Sequence, residues 1–212
     1  MRRPIVDILT TTKHRDDFQE KDLPHRYLRA VFSHWKSLTA EHSKKSGVNF
    51  LPSILQVSLD LLEEATSYTA LVRLHDRKRG FDPYYIFAGQ GLSELYGRHV
   101  PGKYLSDLLL PSFRTEPLEA YKRVWESRKP LFTVRKFRGP FNFMGYARIM
   151  LPLTEQLEPV PATTLKDEKE PNHVLLCIAP TKNLKTSKDW RETEDFGTWV
   201  RYLEFIEEDN SK

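Results

Sequence analysis

Apolar and polar positions recur along this chain with two different periods, and the change from one to the other divides it. From position 24 the period is helical: Tyr27 and Leu28, Val31 and Phe32, and Trp35 and Leu38 return at three- and four-residue spacing. Pro24 falls in the first turn, where a missing N–H costs no hydrogen bond, and HSKKSG with Gly47 supplies a stop. A second helix is predicted over 52–65, with Leu51, Leu55, Leu59 and Leu62 on one face. After Ser67 the pattern becomes extended. Positions 68–74 and 81–88 are rich in aromatic and branched residues, and DRKRG between them reads as the turn of an antiparallel hairpin. Gly89, Gly91, Gly97 and Gly102 punctuate the next segment, in which Leu92, Leu95 and Tyr96 form a short helical face. Helix returns over 116–127, where Leu118, Tyr121, Val124 and Trp125 share a stripe.

Three extended segments follow. The first, 131–138, ends in RGP. The second, 141–153, alternates well enough to assign faces: Phe143, Gly145, Ala147, Ile149, Leu151 and Leu153 on one side, Met144, Tyr146, Arg148 and Met150 on the other. The third, 173–179, is almost wholly apolar and is predicted to lie inside a sheet. Between the last two runs TEQLEPVPATTLKDEKEPN, charged and proline-bearing, reads as a mobile surface loop over 154–172. A final helix over 193–207 would carry Phe196, Trp199, Val200, Leu203 and Ile206 on one face, too apolar to stand alone in water. The resulting organisation is a flexible arm (1–23), a helical extension (24–66), an α+β core (67–181) and a C-terminal helix and tail (182–212).

Composition narrows the function more than the fold. The 212 residues are 39% hydrophobic, enough for one sizeable core. The net charge of +4 arises from 33 basic against 29 acidic residues spread along the chain, so no concentrated basic stripe points to nucleic acid. The single cysteine excludes an internal disulfide and fits a reducing compartment. No apolar run approaches the roughly 20 residues of a membrane span, and the N-terminus lacks the apolar core of a secretory signal, so the expected location is cytoplasmic. Enzyme chemistry finds no motif. The seven histidines are dispersed with no HExxH pair, and neither a GxSxG elbow nor a phosphate loop is present. The GxG of AGQGLSELYG is more simply a strand end followed by turns, and Asp60, Glu63 and Glu64 read as solvated helix residues. No catalytic residue and no metal ligand is assigned.

The element order from Tyr68 onwards, two strands, short helices, a longer helix and three strands, is that of a PAS domain. FAGQGLSELYGRHVPGKYLSDL, the helix EAYKRVWESRKPLF and the strand YARIMLPL resemble the bacterial PAS-type family found as small stand-alone proteins in alphaproteobacteria, over about 24–180. The chain departs from that pattern at Ile86, where the family often has arginine, and at Gln90 and Pro101, where it often has threonine. It also has a long charged loop between the last two strands. The resemblance implies a PAS-like five-stranded antiparallel sheet with helices over one face and a pocket between them. A haem version would need an axial ligand, commonly histidine, on the longer covering helix, and EPLEAYKRVWESR has none. A light-sensing flavin version would need a cysteine absent from GQGLSELYGR, and Cys177 in LLCIA reads as a buried structural thiol. Flavin held without covalent chemistry stays open, and no cofactor is assigned.

Within such a pocket the candidate ligand-binding residues are Tyr85, Phe87, Trp125, Tyr146 and Arg148. Arg148 is the sharpest, since a guanidinium on an apolar strand can clamp a carboxylate or phosphate with two hydrogen bonds. The alternative reading is an arginine on a solvated sheet face paired with Asp or Glu, and for the aromatic residues ordinary core packing. Two functions follow. One is a non-enzymatic sensory or regulatory module that binds a small ligand or partner protein. The other is a scaffold with a filled core that acts through protein contacts, with Trp199, Val200, Leu203 and Ile206 as a homodimer surface. Nucleic-acid association through HRYLR and DRKRG is a third.

Overall fold

A computed structural model of the chain describes residues 9–46, 50–74, 80–109, 111–138, 143–155, 160–161 and 172–182. The stripe Trp199, Val200, Leu203 and Ile206, and the helix expected to carry it, lie outside the described residues, as does most of the 154–172 loop.

The strands of the main sheet are β1 (Leu9–Arg15), β3 (Thr69–Arg73), β4 (Tyr84–Ala88), β5 (Leu131–Arg138), β6 (Phe143–Leu153) and β8 (His173–Lys182). They form one antiparallel sheet in the order β1-β5-β6-β8-β3-β4. Two short strands, β2 (Phe50–Leu51) and β7 (Val160–Pro161), pair separately. The helices are α1 (Arg26–Ser46), α2 (Gln90–Leu95), α3 (Leu105–Leu108) and α4 (Pro111–Ser127). The class is therefore α+β, with six strands in the sheet where the sequence predicts five.

The sixth strand is β1, in the segment expected to be a loose arm. LTTTKHR pairs along its whole length with β5, from Leu9 opposite Arg138 to Arg15 opposite Phe132. Its threonine run suits an extended backbone, and pairing satisfies donors and acceptors that β5 would otherwise leave open at an edge. A second difference concerns 52–65. Instead of one helix this stretch holds two 3-10 segments, Ile54–Gln56 and Asp60–Tyr68. The backbone of Ile54 donates to Thr154 O (2.8 Å) and Thr154 N donates to Pro52 O (2.9 Å), tying the chain to the end of β6 where a helix would need those groups itself. Leu51 and Leu62 are buried, whereas Leu55 is 69% exposed, so the leucine stripe is split between core and solvent.

Helices cover both faces of the sheet, not one. On one face α1 contributes Leu28, Val31, Phe32 and Trp35, which pack with Leu62 and Ala65 on Ala147, Ile149, Leu151 and Leu153 of β6 and Leu175, Cys177 and Ala179 of β8. The Trp35 indole donates to Pro152 O at 3.0 Å, so its one polar group is satisfied in the interior. On the other face α2, α3 and α4 place Leu92, Leu95, Leu105, Leu108, Tyr121 and Val124 against Ala70, Val72, Tyr85, Met150, Val174, Leu176 and Ile178. The unbroken apolar run of β8 follows directly. Its odd and even residues enter different cores, each fully buried aliphatic side chain contributing about 1.5–3 kcal/mol.

The glycine-rich link from β4 into α2 is explained by close approach. A Cβ on Gly89 would lie 2.1 Å from Thr66 O, and one on Gly91 2.7 Å from the Tyr68 ring. Replacing Gly89 with alanine must therefore push the 66–68 backbone away from α2. We expect a loss of about 1–3 kcal/mol, measured by urea denaturation; a midpoint equal to that of the parent protein would refute the close-packing account.

Candidate ligand-binding site between the sheet and the covering helices

The hairpin of β5 and β6 builds the polar part of the interior. Its register sets Thr133 opposite Arg148 and Arg135 opposite Tyr146, and the β1 pairing sets His14 opposite Thr133. Cross-strand partners share a face. The register thus gathers Arg135, Tyr146, Arg148 and His14 on the face that α4 covers. Glu116 on α4 meets them there. Its Oε2 accepts from Arg135 Nη1 at 2.8 Å and from the Tyr146 hydroxyl at 3.4 Å, while its Oε1 accepts from Arg148 Nη2. His14 Nε2 stands 3.9 Å from the same Oε1, and its Nδ1 is 3.0 Å from Thr133 Oγ1.

Arg148 is 4% exposed, deep among apolar neighbours. Its Nη1 donates to the Tyr146 hydroxyl at 3.3 Å, and its buried Nε has no hydrogen-bond acceptor among the described residues. Burial works against its charge, but Tyr146 and Glu116 outweigh this and hold the guanidinium more firmly protonated than usual. Beside it the phenols of three tyrosines converge from three elements. Tyr121 of α4 donates to Tyr85 of β4 at 3.2 Å, and the hydroxyls of Tyr85 and Tyr96 are 3.5 Å apart. Burial raises the pKa of all three, with the other phenols adding to it, so they remain neutral donors. The arrangement is a buried cation bonded to one hydroxyl, with a linked group of three phenols in the same core, on the inner face of a helix-covered sheet. Such a set can hold an oxygen-rich anion.

Of the residues singled out from sequence, Tyr85, Tyr146 and Arg148 come together. Phe87 does not. In β4 the register shifts so that Leu71 faces Phe87 while the next residue, Val72, faces Tyr85, leaving Ile86 as an extra residue. Strict alternation would place Tyr85 and Phe87 on one face; the bulge turns Phe87 to the side of Leu71, toward α1. Trp125 is half-buried at the far end of α4, its ring 5.6 Å from that of Phe81. Arg148 departs in part from the solvated-face alternative: it is paired with a glutamate, as that reading has it, but it is buried.

Glu116, Arg135, Tyr96, Tyr121 and His14 were not among the expected site residues. The first four carry no motif, and only the strand register and the seats of α2 and α4 bring them in. Cys177 is fully buried on the opposite face, its thiol pushed up to about 12 chiefly by burial, and offers no nucleophile. Among the described residues no group of three or more His, Cys, Asp or Glu is placed to hold a metal ion, and no helix is long and apolar enough to cross a membrane. Compared with protein-family models, with curated proteins and with solved structures, the chain shows no match.

Three histidines link this architecture to pH. His14, His34 and His173 all titrate below the ordinary value of 6.5, first because burial disfavours the charged ring and, for His14, next because Arg148 repels it. His173 is 1% exposed and donates from Nδ1 to Asn172 Oδ1 at 2.8 Å. A histidine whose folded pKa is depressed binds its proton more readily in the unfolded chain. Its contribution is therefore intact above 6.5 and is lost as pH falls through the folded value. The melting temperature should drop between pH 7.5 and 5.5, and His173→Gln should flatten the slope; a Tm that is level over this range would contradict the assignment.

Proposed function

We propose that this chain is a non-enzymatic sensory module of PAS type, which takes a small ligand between its sheet and the helices α2, α3 and α4 and signals through association. The observation that carries this is the buried Arg148 bonded to the Tyr146 hydroxyl, with the linked phenols of Tyr85, Tyr96 and Tyr121 in the same core, two of them, Tyr96 and Tyr121, close enough to favour its charge. A core selected for stability alone gains little from such a group. Desolvating a guanidinium costs several kcal/mol, and apolar residues of similar volume often do as well or better. Polar groups that converge in an otherwise apolar interior are what a small-molecule site requires.

The order of elements supports the same reading. From β3 the described residues run strand, strand, short helices α2 and α3, longer helix α4, then β5, β6 and β8 with the short β7 between the last two, and β3, β4, β5, β6 and β8 lie side by side in one antiparallel sheet. That is the arrangement implied by the resemblance to stand-alone PAS proteins, with β1 added beside β5 and α1 laid over the second face. The scaffold reading keeps one specific support. Leu55 and Leu61 are each 69% exposed and Ile86 41%, apolar surface that a partner protein could cover.

The two readings separate on a purified sample. Native mass spectrometry of protein taken directly from cells should show a bound small molecule that denaturing conditions remove, and Arg148→Met should lower its occupancy. Identical native and denatured masses, with a filled interior, would favour the scaffold.

A further inference from the structure

We propose that Glu116 is an internal stand-in for the carboxylate of a ligand. On this proposal, which rests on the sensory reading above, the site takes a small organic carboxylate that displaces Glu116 from Arg148.

The geometry of the pair is the starting point. A guanidinium binds a free carboxylate best through two parallel N–H donors, side by side. Glu116 does not engage Arg148 in this way. Its two oxygens are divided, Oε1 to Arg148 Nη2 and Oε2 to Arg135 Nη1, so Arg148 receives one oxygen. The second Nη of Arg148 turns to the Tyr146 hydroxyl, and Nε is buried without an acceptor among the described residues. An unmet buried donor on a cation is unfavourable, and an incoming acceptor would relieve it. The phenols beside it are equally underused. Their mutual contacts of 3.2 and 3.5 Å are long for O–H donors, whose optimum is about 2.7–2.8 Å, so they too have capacity for a ligand oxygen.

Glu116 is suited to leave. It lies at the margin of the site, its side chain 16% exposed against 5% for Arg148, so a released carboxylate has a short path to water. The next residue is Pro117, inside α4. Proline supplies no N–H to the carbonyl of Phe113, so the first turns of α4 are held less firmly by the helix itself than the turns after them. What holds them instead is Arg114, which donates to Leu109 O (2.5 Å) and Ser106 O (2.6 Å) at the end of α3. Loss of the Glu116 contact would therefore loosen the start of α4 and its junction with α3, a change that a partner could read.

The ligand class follows from the groups. Arg148 demands an anion; its planar fork matches carboxylate and phosphate alike, and the Glu116 carboxylate already seated on it shows which of the two the space accepts. The aromatic rings of Tyr85, Tyr96, Tyr121 and Tyr146 favour a compact, partly apolar body. Sodium benzoate and sodium acetate are therefore the probes, with benzamide as the neutral analogue and sodium chloride at matched ionic strength.

Thermal denaturation of the full chain should show saturable stabilisation by benzoate but not by benzamide or chloride. Glu116→Gln removes the competing charge at nearly constant shape, so its apparent affinity should rise by roughly tenfold or more, the competitor having reduced the competent fraction. Arg148→Lys keeps the charge and loses the fork; it should weaken benzoate by about tenfold. Arg148→Met should abolish the response, provided circular dichroism shows it folded, and Arg148→Lys serves where it is not. Hydrogen exchange in the peptide over 112–121 should quicken when benzoate binds the parent protein. Equal affinity in the parent and Glu116→Gln, or binding that survives in Arg148→Met, would overturn the proposal. Response by Glu116→Gln alone also overturns it, showing that Glu116 never leaves. In that case a co-purified ligand on the parent protein would still uphold the sensory reading, whereas native and denatured masses that agree would remove both.

Discussion

The central strands β6 and β8 are covered by protein on both faces, and this constraint shapes the rest of the molecule. A strand buried on one side can turn its polar residues outward. Here both orientations lead to a dry interior, so Ala147, Ile149, Leu151 and Leu153 pack under α1 while Met150 and its β8 neighbours pack under α4. Any charge on these strands must bring its own partner. Arg148 is such a charge. Glu116 on α4 is the carboxylate that answers it, and the seat of α4 on the sheet is thereby fixed by polar as well as apolar contact.

The two faces have different characters. The α1 face is chiefly a packing surface of aliphatic and aromatic side chains, in which the Trp35 indole donates to Pro152 O. Its thiol, Cys177, is inert. The α4 face mixes leucines from α2 and α3 with four tyrosines and two arginines; the hydroxyls of Tyr85, Tyr96 and Tyr121 meet at long distances, and Arg148 Nε has no acceptor among the described residues. Buried polar networks stabilise well only when every member is satisfied.

Much of this was open to reading before the structure. The strand 143–153 showed its two faces through strict alternation, and the apolar run at 173–179 marked an interior strand, because side-chain direction in a strand follows from sequence parity alone. The same rule misled at β4, where one inserted residue, Ile86, reverses the face of Phe87. Bulges carry no reliable sequence mark. The 52–65 segment misled for another reason: its leucine spacing was helical, but backbone bonds to Thr154 decided its conformation. LTTTKHR has too little apolar content to announce a strand, and only the open edge of β5 gives it a reason to be extended.

Local period, turn chemistry and composition settled on their own that the chain is α+β, where most strands and the long helices lie, and that Tyr146 and Arg148 share a face. These are properties of near neighbours, and the sequence states them directly. Tertiary structure decided what those residues meet. Glu116 is 32 positions from Arg148, and Tyr121 is 36 from Tyr85. Such contacts depend on strand register and on how a helix lies across a sheet, both set by the burial of many side chains at once, so no short stretch of sequence could have disclosed them.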